Sequence, residues 1–269
     1  MLLGVAELWD DLISCLDLAE APGGAFLGKN LPLDYHRLFG GQLLAQFAVI
    51  GSRACPGKSL KSMHVLFPRE GTSEEPVRYE VARHSDGRSF ASLTILARQA
   101  KGVIGTASVS LHGAEEGRSV QSVAPVREAP GDSGAVSIGL LPFETRASAD
   151  LNAREAAAPE FRLWFRTPET DPGLAQALAA YTTDLTLIGT ALRAVDGVSQ
   201  ADAQQAFASA VTSHTIWFHR PFKTSDWLLL RQHSPILAHG RAFGRGDILT
   251  ADGSLVASYA QESLVRFKA

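Results

Sequence analysis

The chain has 269 residues, 45% hydrophobic and 20% charged, which is ordinary for a globular protein and enough for one large domain or two small ones. The formal net charge is −3, and the absence of a Lys or Arg excess excludes the electrostatic signature of a nucleic-acid-binding protein. Only Cys15 and Cys55 are present, so neither a disulfide framework nor a Cys/His metal cluster is expected, and a reducing compartment such as the cytoplasm fits best.

The N-terminal segment predicts an amphipathic helix. Its apolar residues recur three and four positions apart, as on one helix face, at Leu2, Val5, Leu8, Leu12, Cys15 and Leu16. Gly23-Gly24 is predicted to end this helix. Acidic residues interrupt the apolar run and no basic region precedes it, so we do not expect a signal peptide. No stretch approaches the roughly 20 apolar residues of a membrane span.

A first block follows, in which residues 38–52 predict a buried helix rich in small residues. Strands are predicted after it, in an antiparallel meander with glycine-containing turns, at 60–68, 76–83, 89–99 and 103–112. Residues 113–141 are rich in Gly, Ala, Ser, Pro and charge, and they predict a linker that crosses the surface.

A second block predicts a similar order of elements. Two strands (142–148 and 160–166) precede a long helix, 173–194, and further strands are predicted at 211–219, 226–233, 241–249 and 254–266. Ala107-Ser108 matches Ala257-Ser258 at an offset of 150 residues, and Arg88-x-Phe90 matches Arg241-x-Phe243 at 153. A near-constant offset indicates duplication, although any two antiparallel meanders look alike. The predicted organisation is an N-terminal unit 1–112, a linker 113–141 and a C-terminal unit 142–269.

Several strings resemble the type II acyl-CoA thioesterase family over nearly the whole chain: LFGGQLLAQ (38–46), YTTDLTLIGTAL (181–192), HTIWFHRPF (214–222), GRAFGRGDILTADGSLVAS (240–258) and AQESLVR (260–266). The resemblance implies an α+β double hotdog fold, in which two tandem units each have a long central helix wrapped by a curved antiparallel sheet. It also implies hydrolysis of fatty acyl-CoA to free acid and CoA without a metal or organic cofactor. Open sheet edges would favour a homodimer or higher homo-oligomer.

The family's reactive groups are an Asp on the second helix, a Ser or Thr before the WFHRPF strand and a Gln near the C-terminus. The resemblance places the Asp on Asp184 and the Gln on Gln261, but the hydroxyl position falls on Val211. The neighbouring hydroxyls of Thr212 and Ser213 are candidates, although a shift of one residue in a regular strand points to the other face. Three explanations stay open: a bulged strand, a site with two groups, or low activity.

The two main candidates also have interpretations from the residues alone. Asp184 falls on the apolar helix face of Ala177, Tyr181, Ile188 and Ala191, where a carboxylate must be hydrogen-bonded or line a cleft, unless it caps a break in the helix. Gln261 alternates with apolar residues along its strand, so it could orient a water molecule or be a satisfied core amide. Its counterpart in the first block is Leu111, which has no polar group. The sequence therefore predicts only one catalytically active site per chain.

Substrate-binding candidates are more general. Gly40 and Gly41 begin the first helix, where backbone N–H groups can polarise a carbonyl, but tight packing explains them equally well. Arg220, Arg241 and Arg245 lie near strand ends and could bind the CoA phosphates. For His214, a structural role in packing and in strand-end hydrogen bonds is preferred to a functional one.

Two other functions compete with hydrolysis. An enoyl-CoA hydratase needs a D-x-N-x-x-H motif, and the nearest string, Asp150 to Glu155, lacks the His. A non-catalytic acyl-CoA binder is favoured by Val211 alone.

Overall fold

The protein is described by a computed structural model that covers residues 5–33 and 37–268. Its contacts divide the chain into two compact units, one of Met1–Val120 with Asp171–Thr182 and one of Gln121–Thr170 with Thr183–Ala269. The segment 121–141, predicted as part of a linker, is therefore included in the second unit. Within the described residues, no helix is both long and apolar enough to cross a membrane.

The first unit is an antiparallel sheet around one buried helix. The elements in chain order are α1 (Val5–Leu16), β1 (Ala19–Ala21), β2 (Ala25–Gly28), α2 (Gly40–Ala54), β3 (Lys58–Leu66), β4 (Val77–Asp86), β5 (Phe90–Gln99) and β6 (Gly102–Gly113). The strand order is β1-β2-β4-β5-β6-β3. The predicted helix and meander are confirmed: α2 buries eleven of its fifteen residues and packs against β3, β5 and β6, and the four strands that follow it form one antiparallel sheet.

One prediction in this unit is wrong. The N-terminal helix ends at Leu16, and Gly23-Gly24 forms the turn between β1 and β2 instead of ending the helix. Both glycines have positive φ angles, +79° and +71°, which residues with a Cβ rarely adopt and which a tight hairpin turn requires. Leu2, part of the predicted apolar face, lies outside the described residues.

The second unit repeats the plan. Its elements are β7 (Gly134–Ala135), β8 (Glu144–Ala147), β9 (Glu160–Arg166), α4 (Leu187–Leu192), β10 (Phe207–Phe218), β11 (Leu228–Ala238), β12 (Arg241–Thr250) and β13 (Leu255–Phe267). The strand order β9-β11-β12-β13-β10 matches β2-β4-β5-β6-β3 of the first unit, and Ala107 and Ala257 lie on the corresponding strands β6 and β13. The shared order supports duplication.

The long helix predicted at 173–194 is interrupted, which corrects the sequence-based expectation. A 3₁₀ turn at Pro172–Leu174 leads into α3 (Ala175–Thr183), and α4 starts only at Leu187. Threonines cluster at the break, and they weaken a helix because β-branched side chains lose rotamer freedom and hydroxyls compete for backbone groups. Thr182 bonds back to the Leu178 carbonyl at 2.7 Å. A polar side chain at residue 184 is thereby freed from helical geometry.

Candidate active site

Asp184 lies in the break between α3 and α4, and only 4% of its surface is exposed. A carboxylate excluded from water to this extent costs free energy unless polar groups surround it. Its neighbours in sequence, Thr183 and Thr186, are fully buried and polar. Asp184 thus lies at a break in the helix, as one of its two sequence-based interpretations expected. Its buried polar surroundings also fit the other interpretation, a carboxylate with a chemical role.

A buried chain of hydrogen bonds begins at the residue before Asp184. Thr183 Oγ1 lies 3.1 Å from His214 Nε2, and His214 Nδ1 lies 2.9 Å from Gln261 Oε1. Gln261 Nε2 then donates to Ser263 Oγ at 3.2 Å. All four side chains are at most 2% exposed. The fold thus brings Gln261 within two hydrogen bonds and one peptide link of Asp184.

The donor and acceptor roles are set at the Gln261 end of this chain. The Gln261 carbonyl oxygen can only accept, so His214 carries a proton on Nδ1. The other ring nitrogen, Nε2, faces the Thr183 hydroxyl, which is able to donate or to accept. Gln261 retains one lone pair on Oε1 and one hydrogen on Nε2, which are the two features needed to orient a water molecule.

A second buried cluster supports the first. Gln232 Nε2 donates to the Thr186 and Thr190 hydroxyls at 2.9 and 2.6 Å, which ties α4 to β11. The Tyr259 hydroxyl donates to Gln232 Oε1 at 2.7 Å, and its ring stacks on His214 with centroids 6.0 Å apart. Burial raises the pKa of Tyr259 well above its ordinary value, so this hydroxyl stays protonated. The two clusters together hold His214 in place.

Glycine allows α4 to approach the strand beside Gln261. Gly244 is the cross-strand partner of Gln261, and a Cβ built on it would lie 2.6 Å from Leu187 Cδ2 of α4. The sheet face that carries Gln261, here called the inner face, is therefore covered by α4. The opposite face is called the outer face.

A β-bulge lies at the position of the expected hydroxyl. Val211 pairs with Ser263 and Ser213 pairs with Glu262, so Thr212 is the extra residue. The bulged strand was one of the three explanations left open for Val211. The Thr212 hydroxyl donates to the Glu262 carbonyl at 3.0 Å, and Ser213 shares the outer face with Glu262.

The predicted arginines are not brought to the inner face. Arg241 and Arg245 alternate with the inner-face residues of β12; Arg241 lies 3.6 Å from Glu262, and Arg245 lies 3.1 Å from a ring nitrogen of His233. Arg220 donates to the Leu255 carbonyl and to Gln121 Oε1. Their binding of CoA phosphates stays a prediction, separate from the buried cluster.

The outer face has a groove of its own, with a volume of about 710 Å³. Arg162, Arg231, Arg245, Trp217 and Phe243 line it together with two acidic residues, and neither Asp184 nor Gln261 does. His219 lies on the same face, hydrogen-bonded to Ser258 at 3.1 Å. Burial and the nearby Arg220 lower the pKa of His219, against an opposing effect of Asp247.

Gly40 and Gly41 start α2, as predicted. A Cβ on Gly41 would lie 2.6 Å from the Phe39 ring and 2.7 Å from the Tyr181 carbonyl oxygen. Close packing is therefore a sufficient reason for glycine at residue 41. A role of these backbone N–H groups in binding substrate stays a prediction.

Sequence reasoning missed three members of the buried chain: Thr183, His214 and Ser263. His214 was interpreted as a packing residue, and the signal that points to it is its register opposite Gln261. That register depends on the bulge at Thr212, because the bulge moves His214 onto the face of Gln261. Strand alternation along β10 could not reveal it.

Comparisons with known proteins indicate the same family along nearly the whole chain. Residues 31–112 match the family described as acyl-CoA thioesterase N-terminal domain, and residues 119–265 match the acyl-CoA thioesterase C-terminal domain. The acyl-CoA thioesterase 2 of Haemophilus influenzae is 29% identical over 98% of this chain and 99% of its own.

Solved structures give the same result. An acyl-CoA thioesterase II, TesB2, from Mycobacterium marinum is 30% identical, with a TM-score of 0.81 over 96% of this chain and 99% of its own. A hot dog fold protein of Alicyclobacillus acidocaldarius, at 19% identity, has a TM-score of 0.76 over 96% of this chain and 98% of its own, which shows the fold alone.

Proposed function

This chain belongs to the type II acyl-CoA thioesterase family and is an acyl-CoA hydrolase, and we propose that it attacks the thioester with a water molecule activated by Asp184. The observation that carries this proposal is the buried chain from Thr183 through His214 to Gln261, which starts at the residue preceding Asp184. It connects a held amide to the residue beside a buried carboxylate, and the proposed reaction uses both groups.

The proposed reaction follows from the chemistry of the two groups. The Asp184 carboxylate accepts a proton as the water oxygen attacks the thioester carbonyl carbon, and the free lone pair of Gln261 Oε1 orients that water. The tetrahedral intermediate then collapses with cleavage of the C–S bond. CoA leaves as a thiolate, which is a good leaving group, so a strong general acid is not required. The proton held by Asp184 then passes to the thiolate or to solvent, which restores the carboxylate. The products are the free acid and CoA.

Two parts of the site remain further proposals. Thr212 and Ser213 were predicted as third groups, and the Thr212 hydroxyl is half-buried and directed at the Glu262 carbonyl. Backbone N–H groups at a helix start, or side-chain donors, would stabilise the oxyanion. Neither assignment is needed for the activation of water by Asp184.

The test is release of CoA thiol from acyl-CoAs of short to long chain, by the protein and by Asp184→Asn. We expect the variant to lose about 10²- to 10⁴-fold in kcat, the usual contribution of a general base. Asp196→Asn, which changes an exposed carboxylate beyond α4, is the control and should retain activity. Full turnover in Asp184→Asn would place the reactive group elsewhere, and acyl-CoA binding without turnover by the unaltered protein would favour the binder.

The finer assignments rest on the same family. We propose fatty acyl chains as the substrate, the cytoplasm as the location and a homo-oligomer as the assembly. Two buried free cysteines fit a reducing compartment. Trp217, Ile236 and Phe243 are exposed on β10, β11 and β12, which supports association between copies. Light scattering after size-exclusion chromatography tests the assembly: a mass of 28.7 kDa would show a monomer and contradict it.

A further inference from the structure

The missing hydroxyl at Val211 has a direct cross-strand neighbour that carries one. Val211 of β10 pairs with Ser263 of β13. Directly opposed residues of an antiparallel pair point to the same face, with Cβ atoms about 4.5–5.5 Å apart. The Ser263 hydroxyl is therefore on the same face as a hydroxyl on residue 211 would be, and next to it.

Ser263 is also connected to the proposed reactive group. It is 2% exposed, lies two residues beyond Gln261 on the same strand face and accepts a hydrogen bond from Gln261 Nε2 at 3.2 Å. Among the described residues, none accepts the hydroxyl hydrogen of Ser263 itself. A buried hydroxyl with a donor to spare is able to bond a water molecule or a substrate oxygen.

The other nearby hydroxyls are differently directed. Thr212, the extra residue of the bulge, donates to the Glu262 carbonyl, and Ser213 is paired with the outer-face residue Glu262. Of the hydroxyls at residues 212, 213 and 263, the one at Ser263 contacts Gln261. The bulge thus keeps Val211 opposite Ser263 while it places His214 opposite Gln261.

We propose that Ser263 on β13 replaces the hydroxyl that the family resemblance expects at Val211, as a positioning residue that fixes the Gln261 amide. With His214 holding Oε1 and Ser263 holding Nε2, the amide plane is fixed from both ends. The remaining lone pair of Oε1 then points to one place, where the attacking water is held. This inference rests on the proposed function of Asp184 and Gln261.

The test combines removal and relocation of the hydroxyl. Ser263→Ala should lower kcat about 10- to 100-fold, the usual effect of losing a residue that orients a reactive group, with KM changed less than about threefold. Adding Val211→Thr, an almost isosteric change that introduces a hydroxyl, to Ser263→Ala should restore kcat to within about threefold of the unaltered protein. A purely structural role for Ser263 would not be rescued from the neighbouring strand.

Two controls keep the outcomes separate. Ser234→Ala removes another buried hydroxyl of the second unit, bonded to the Phe243 carbonyl at 2.7 Å, and should leave kcat unchanged. Val211→Thr alone should raise kcat less than about twofold, because the role is already filled; a larger gain would overturn the proposal even if Ser263→Ala failed to fold.

Asp184→Asn is measured in parallel. Full activity of Ser263→Ala beside an inactive Asp184→Asn would overturn the role of Ser263 and leave the proposed function intact. A loss in Ser263→Ala that Val211→Thr does not repair would also overturn it. Activity in Asp184→Asn would instead refute the proposed site.

Discussion

At the scale of single residues, the site depends on how each buried polar atom is satisfied. Gln261 would be costly on an apolar strand face if its amide lacked partners, and His214 and Ser263 provide one at each end. A core amide with hydrogen-bond partners is compatible with the proposed role, because one lone pair on Oε1 and one hydrogen on Nε2 are still available for hydrogen bonding. A satisfied amide is rigid, and rigidity is what water orientation requires.

His214 should act through Gln261. We expect His214→Leu to lower kcat about 10- to 100-fold with little change in KM, since the Oε1 atom of Gln261 loses its donor. His214→Asn keeps a donor near the position of Nδ1 and should retain most of the activity. Steady-state kinetics of both variants, with thermal unfolding to confirm folding, is the measurement. Equal losses in the two variants would contradict a role for the Nδ1 proton.

Cys15 predicts a specific pH dependence of stability. Burial and the nearby Asp11 raise the pKa of its thiol from 9.0 to about 12. Since the folded state holds this proton more tightly, its stabilising effect is complete below pH 9 and is lost as the pH rises towards 12. Between pH 8 and 10 the free energy of unfolding should fall by about 1.4 kcal/mol more in the unaltered protein than in Cys15→Ala. Urea unfolding at both pH values measures the difference, and parallel behaviour would refute it.

At the scale of elements, irregularities position the site. The helix break at Asp184 and the bulge at Thr212 each interrupt a regular element, and together they bring residue 184 near a strand face that carries His214 and Gln261. Regular continuations would have placed His214 on the outer face. Bulges commonly re-aim side chains next to active sites.

Residues 121–128 of the predicted linker are hydrogen-bonded to the sheet of the second unit. Gln121 accepts from the Leu255 backbone N–H at 3.0 Å and donates to the Gly253 carbonyl at 2.8 Å, and Arg231 binds the Ala124 carbonyl at 2.6 Å. We expect Gln121→Ala to increase amide hydrogen exchange in residues 121–128 by about tenfold, because local opening follows the loss of such bonds. Gln205→Ala, at an exposed glutamine elsewhere, should not. Unchanged exchange in Gln121→Ala would show that the other contacts suffice.

At the scale of the whole molecule, two units share a strand order but differ in their buried polar groups. Leu111, the counterpart of Gln261, is fully buried and lies opposite Leu60 of β3. The first unit therefore has an apolar contact at the register where the second has the His214–Gln261 hydrogen bond. This difference supports the hypothesis of one live site per chain.

If each chain has one active site, substitutions at Leu111 and at the equivalent Gln261 should differ in their effects on stability and on kcat. Leu111→Ala should reduce the free energy of unfolding by about 2–5 kcal/mol, because it leaves a cavity, while kcat of the folded protein stays near its original value. Gln261→Ala should abolish most of the turnover with a smaller loss of stability. Denaturation and kinetics on the same preparations decide this. A large loss of kcat in folded Leu111→Ala would contradict it.

The sequence by itself determined the α+β class, the strands of both units, the helix α2 and the identity of Asp184 and Gln261 as candidates. It could do so because alternation, glycine turns and family strings are local in the chain. The tertiary structure decided where the second helix breaks, that Gly23-Gly24 turns a hairpin, and that Arg241 and Arg245 lie away from Gln261. It also decided that His214 and Ser263 belong with Gln261. These features depend on register and on packing between distant segments, and a one-residue bulge reverses every side chain after it, which no local pattern reports.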